Sequence, residues 1–181
     1  MDEAWAVERM RQGGLDGLEW LYARHHRAIY LFSGRQLGDW HLAEDAAQDT
    51  FLRAFRYSSS FRRGASVRPW LFGIAYRVCR DAYRQRRQAG GPEDLPEPHQ
   101  EVPRPGELSE LERALERALA SLPEVQRAAF LLHRVEERSL REVAAILECP
   151  VGTVKSRVHH ATRRLWTALG DFVEGEAPWQ R

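Results

Sequence analysis

Cysteine is scarce in this chain: Cys79 and Cys149 are the two among 181 residues. They form no CxxC pair and no disulfide framework, which excludes a disulfide-stapled scaffold. In apolar helix or turn contexts, each reads as a small buried hydrophobe. Histidine does not complete a zinc module. His25-His26 and His159-His160 are adjacent pairs, whose side chains diverge by about 100° on a helix, and no His/Cys spacing fits zinc. No metal and no cofactor is expected. Long apolar runs are missing too. None approaches the roughly 18–20 residues of a membrane span, and the charged start MDEAWAVERMRQGG lacks a secretory core. The expectation is a cytoplasmic protein without direct membrane insertion. No nucleophile–base pair and no phosphate-cradling glycine loop appears, so no catalytic residue is assigned and the chain is not expected to be an enzyme. Net charge is only +1, which excludes a uniformly basic nucleic-acid binder and leaves charge distribution to carry information.

That distribution is uneven. Arg77, Arg80, Arg84, Arg86 and Arg87 stand against one Asp81. Glu93, Asp94, Glu97, Glu101, Glu107, Glu110 and Glu112 follow, against one Arg104. A second basic stretch runs from Gly152 to Trp166, with four Lys or Arg and no acid. Two basic segments thus flank an acidic connector.

The second of them lies in the most informative stretch, SLREVAAILECPVGTVKSRVHHATRRLW. Leu140, Val143, Ala144 and Leu147 recur at helical spacing. Cys149-Pro150 then ends the helix, because Pro150 has no backbone donor and disfavours a helical predecessor. A second helix starts near residues 151–153, with Val154, Val158, Ala161 and Leu165 as its buried face. Its other face shows Lys155, Ser156, Arg157, His159, His160, Arg163 and Arg164. A helix–turn–helix whose second member presents short polar and basic groups suits a DNA major groove.

Residues 88–106 hold five Pro and three Gly without an apolar face and read as an extended linker. The fold class expected is all-α, with two small helical domains, 1–87 and 107–173, and a tail at 174–181. In the first, Leu15, Leu18, Leu21 and Tyr22 open a helix continuing toward Ile29, Phe32 and Leu37. DWHLAEDAAQDTFLRAF forms another, with Leu42, Ala43, Ala46, Phe51, Ala54 and Phe55 inward and Glu44, Asp45, Gln48, Asp49 and Arg53 outward. Tyr57 to Ser66 reads as a loop. Val67 to Gln88 is a long helix with Pro69 in its first turn and Trp70, Leu71, Ile74, Ala75 and Val78 inward. In the second domain Leu108, Leu111, Leu115, Leu119 and Leu122 mark one helix, and Val125, Ala128, Ala129, Leu131 and Leu132 the core of the next.

EDAAQDTFLRAF, SSSFRRGAS, RPWLFGIAYRVCRDAYR and LPEVQRAAFLL…SLREVAAILECPVGTVKSRVHHATRRL, in this order, resemble the extracytoplasmic-function (ECF, group IV) sigma factors of bacterial RNA polymerase. The resemblance covers about 150 residues. It implies a factor that binds core RNA polymerase and promoter DNA, directs promoter recognition and melting, and is restrained by an anti-sigma factor. It implies that Asp45, Gln48, Asp49, Thr50 and Phe51 dock on the polymerase clamp helices. Tyr57, Ser58, Ser59, Ser60, Phe61, Arg62 and Arg63 would capture an unpaired base of the −10 element, with Arg77, Arg80 and Arg84 on the adjoining melting helix. Thr153, Lys155, Ser156, Arg157, His159, His160 and Arg163 would face the −35 element. Arg77 departs from the Asn common at that position. The alternative reading is a stand-alone helix–turn–helix regulator, which would bind duplex DNA without polymerase.

Overall fold

The computed structural model describes residues 1–88 and 109–172, and all regular structure among them is helical. The linker from 89, Leu108 and the tail from 173 lie outside the described residues.

The first helix, α1 (Glu3–Arg11), starts where the Asp2 carboxylate accepts the Trp5 N–H. It was not legible as an element: the charged start hides a short apolar stripe of Ala6, Val7 and Met10, all buried. Next come α2 (Leu15–Leu37), closed by Gly38 in the left-handed region, and α3 (Trp40–Arg56), capped by Asp39 through the N–H groups of His41 and Leu42. Gly34 lets these two cross. A Cβ there would collide with the edge of the Trp40 ring. A short 3-10 turn at Ser58–Ser60 leads to α4 (Val67–Gln88). Leu71, Ile74, Ala75 and Val78 are buried as expected, and Phe72, edge-on to Phe32 at 5.3 Å, joins them.

In the second half, α5 (Glu110–Ala120) and α7 (Leu140–Ile146) both begin with a reciprocal capping box, Ser109 with Glu112 and Ser139 with Glu142. Between them α6 (Glu124–Phe130) runs into one wide turn, Leu131–Val135, closed by the Glu136 N–H on the Leu131 carbonyl. Two expected core positions are exposed. Leu111 lies in the first turn of α5, and Val125 in the first turn of α6, where no neighbouring helix covers them. Pro150 starts α8 (Val151–Ala168), whose Val154, Val158, Ala161 and Leu165 are all buried against α6, α7 and α5. Burying one such aliphatic side chain stabilises by about 1.5–3 kcal/mol, so this face fixes α8 and its opposite face together.

The two halves pack on each other. α4 meets α7, and α2 meets α5 and α6, so one apolar core runs through both.

Candidate nucleic-acid interface

Opposite its buried face, α8 exposes Lys155, Ser156, His159, His160, Arg163 and Arg164. Thr153 and Arg157 sit at the margins, half-buried, and Arg157 reaches the Cys149 sulfur at 3.5 Å. The His159 and His160 rings stand edge to face, 5.7 Å apart. The helix thus carries no acid on its outer face and a cleft of about 540 Å3 beside His160, Arg163, Arg164 and Thr167. A row of cations and short donors along one exposed helix can hold phosphates and reach base edges.

A second, smaller cleft of about 160 Å3 lies where α3, the 3-10 turn and α4 meet, lined by Arg53, Tyr57, Ser60, Trp70, Ile74 and Arg77. Tyr57 is 52% exposed, so its ring is free to stack. Ser59, Ser60, Arg62 and Arg63 are exposed as well. Two residues of the expected loop set differ. Phe61 is 6% exposed and packs 5.0 Å from the Trp70 ring, which makes it the loop's apolar anchor. Ser58 is buried beneath the turn. Trp70, expected inward, is half-buried and forms part of the cleft wall. Arg53 pairs with Asp49 on its own helix at 2.9 Å and ties α3 to α4 through Asp81 at 3.0 Å.

Arg77 and Arg80 are half-buried and Arg84 is exposed on α4. Arg77 is not free: it pairs with Glu148, in the turn between α7 and α8, at 3.0 Å. The basic helix of one domain therefore touches the helix–turn–helix of the other. Further polar contacts cross the same seam. Arg68 pairs with Glu136 at 2.6 Å, Arg35 with Glu116 at 3.2 Å, and the Gln36 amide donates to the Glu124 carbonyl at 3.2 Å. At its centre Arg127, 1% exposed, donates to the Tyr83 hydroxyl at 3.1 Å and to the Arg35 carbonyl at 3.4 Å. Burial lowers the Arg127 pKa and raises those of Tyr83 and Glu124. It pushes the neighbouring Cys79 thiol up to about 12.

On α3, Asp45 and Gln48 are exposed and Asp49 is half-buried. Thr50 and Phe51 are not surface residues. Thr50 is 0% exposed and its hydroxyl donates to the Ala46 carbonyl at 2.7 Å, while Phe51 is 2% exposed. Sequence reasoning missed Leu52, 61% exposed, which with Leu18, Tyr22 and Gln48 rims an apolar groove of about 360 Å3 floored by Phe51. The signal was there: Leu52 is an apolar residue off the buried face of an amphipathic helix. Among the described residues no cluster of His, Cys, Asp or Glu is arranged to hold a metal ion, and no helix is long and apolar enough to cross a membrane.

Fold and site together define an all-helical, two-domain transcription factor with a helix–turn–helix. Residues 21–89 match the family model of sigma-70 region 2, and residues 112–165 that of sigma-70 region 4. The RNA polymerase sigma factor CarQ of Myxococcus xanthus is 34% identical over 169 residues, covering 92% of this chain and 97% of the relative. The ECF RNA polymerase sigma factor SigW of Bacillus subtilis is 30% identical over 179 residues, 92% and 96% of the two chains. The structure also resembles the sigma factor RpoE of Bartonella quintana, solved with the anti-sigma factor NepR, at a TM-score of 0.71 and 27% identity over 86% of this chain and 98% of that one. The chain belongs to the ECF family of RNA polymerase sigma factors. Sigma factors are not enzymes; they give the polymerase its promoter specificity.

Proposed function

We propose that residues 1–87 form the region that docks on core polymerase and opens the −10 element, that residues 107–173 read the −35 element, and that 88–106 connect them. The subgroup is group IV and the compartment the cytoplasm. The observation that carries this reading is α8, whose acid-free polar face stands opposite four buried apolar residues.

Docking uses the exposed Asp45 and Gln48 and the half-buried Asp49, together with the groove rimmed by Leu18, Tyr22 and Leu52. Carboxylates select a basic partner helix, and the apolar groove supplies the desolvated contact that holds it. Thr50 and Phe51 support that surface from beneath. Lys155, Ser156, His159, His160 and Arg163 read or hold the −35 duplex, with Thr153 and Arg157 at its edge. Once strands part, a base enters the cleft of Tyr57, Ser60, Trp70 and Arg77, where the rings stack and the hydroxyl meets a base edge. Arg62, Arg63, Arg80 and Arg84 hold phosphates around it.

Elements centred near −10 and −35 lie about 25 base pairs apart, or ~85 Å of duplex axis at ~3.4 Å per pair. Arg77 and Glu148 touch. The docked arrangement is therefore not the promoter-bound one, and the domains part when the factor engages core and DNA. An anti-sigma factor, as RpoE has in NepR, would act by holding the DNA-reading surfaces out of use. The test is assembly followed by footprinting. Wild-type protein should form a stable complex with core and protect duplex near −35. Asp45→Lys with Asp49→Lys should lose core, and Lys155→Ala with Arg163→Ala should keep core but lose the −35 footprint. Normal core binding by the first pair would remove α3 from the docking surface.

A further inference from the structure

The first helix carries no assigned role, and it lies upstream of the segment matched by the region 2 model, which begins at residue 21. Its last residue, Arg11, points at the loop that leads to the small cleft. The Arg11 Nε donates to the Ser58 carbonyl at 3.1 Å, and its Nη2 donates to the Phe61 carbonyl. The remaining Nη1 pairs with Glu8 at 3.2 Å, and the same Glu8 oxygen receives Arg63 at 3.2 Å. One guanidinium thus bridges the two ends of the 3-10 turn, and one carboxylate ties that guanidinium to the arginine just beyond it.

A 3-10 turn of three residues has little stability of its own, and the loop around it is exposed at Ser59, Ser60, Arg62 and Arg63. Its conformation is set from two sides. Phe61 anchors it on Trp70, and Arg11 fixes the two carbonyls. The planar fork of Arg meets two acceptors at a set separation, which a Lys ammonium, a single point on a flexible stem, cannot do. The side chains that line the cleft, Tyr57 and Ser60, flank or belong to this turn. A cleft wall placed 1 Å wrong loses stacking and the hydrogen bond to a base edge together.

We infer that Arg11 is a positioning residue for base capture: α1 acts as a clamp that pre-forms the Tyr57–Ser60 wall of the cleft before DNA arrives. The inference rests on the assignment of that loop to the unpaired −10 base, and Arg11 itself touches no DNA.

The test uses holoenzyme assembled from core polymerase and wild-type, Arg11→Lys or Arg11→Met protein. The probe is a fluorescent fork-junction DNA, duplex through −35 and single-stranded through −10, compared with the same DNA carrying an abasic site at each −10 position in turn. For wild type, removing the captured base should weaken binding about 5- to 150-fold, the range for one base stacked on aromatic side chains. In Arg11→Met that step should fall to within about threefold, with affinity for the abasic DNA unchanged. Arg11→Lys should resemble Arg11→Met. A full wild-type step in Arg11→Met overturns the clamp and leaves the loop assignment standing. Equal loss on intact and abasic DNA also overturns it, because that is what general loss of folded protein would give. No base-dependent step in wild type at any position overturns the loop assignment itself.

Discussion

Removing Arg127 should undock the two domains. Its guanidinium is 1% exposed and donates across the seam to the Tyr83 hydroxyl at 3.1 Å and the Arg35 carbonyl at 3.4 Å, and within its own domain to the Leu122 carbonyl at 3.3 Å. The Tyr83 hydroxyl in turn donates a hydrogen bond to the Gln36 carbonyl at 2.6 Å. A hydrogen bond from a charged donor contributes about 1.5–3 kcal/mol. These are long, so the two that cross the seam contribute about 3 kcal/mol. Against this stands the cost of desolvating a cation, several kcal/mol before pairing, and among the described residues Nε has no acceptor. Arg127→Ala removes both terms but leaves Tyr83 without its donor and a void behind it. The net shift against the docked state is about 1–3 kcal/mol, or about 5- to 150-fold in the open fraction. Cys79 reports it. The thiol is fully buried in α4 beside Glu124 and Arg127, with a pKa of about 12, so it reacts with a disulfide reagent only when the seam opens. In a Cys149→Ser background, Arg127→Ala should speed Cys79 labelling by that factor, beyond what any fall in the thermal midpoint explains. Labelling at the wild-type rate would show that Arg127 does not hold the seam, as would acceleration no greater than the loss of global stability explains.

Other consequences are simpler to check. Gly34→Ala should force the Trp40 ring off α2 and cost about 1–3 kcal/mol as an overpacked contact, read as a lower thermal midpoint; an unchanged midpoint would show that the α2–α3 crossing is looser than described. Arg157→Ala should weaken binding to a −35 duplex and flatten its salt dependence by about one unit of slope, whereas an unaltered slope would remove Arg157 from the contacts. Burial lowers the pKa of His25, against the opposing pull of Glu3, 3.1 Å from its Nε2. The folded state therefore binds fewer protons there than the unfolded state. Stability from this site is present above the ordinary value of 6.5 and declines as pH falls below it. Denaturation midpoints from pH 8 to 5 should show the decline, and His25→Gln should reduce it.

Periodicity made most of the fold legible. The four apolar residues of α8 are all buried, and the break at Cys149-Pro150 falls where a helix must end. The caps at Asp39, Ser109 and Ser139 set the helix starts that periodicity alone leaves open. Residue type alone does not set exposure. Phe61 lies in a polar loop, yet an exposed loop needs an apolar anchor and Phe61 supplies it on Trp70. Phe51 lies inward, as its place on the apolar face requires, and the 3.6-residue period carries Thr50, a polar member of the same block, inward beside it. Contacts that depend on tertiary placement left no local trace. Nothing in MDEAWAVERMR indicates that Arg11 reaches carbonyls at 58 and 61. Nothing around Arg127 marks a buried cation, since a lone Arg in an apolar helix ordinarily points to water.

Transcription in vitro is the decisive check on promoter-directed initiation. Core RNA polymerase from the same source is supplied with a genomic fragment pool, with and without this protein. Discrete new transcripts should appear only with the protein, with two shared upstream elements about 25 base pairs apart centre to centre. Those transcripts should vanish with Lys155→Ala combined with Arg163→Ala. Catalytically active core that yields no new transcript, beside duplex DNA binding by the protein without core, would contradict it.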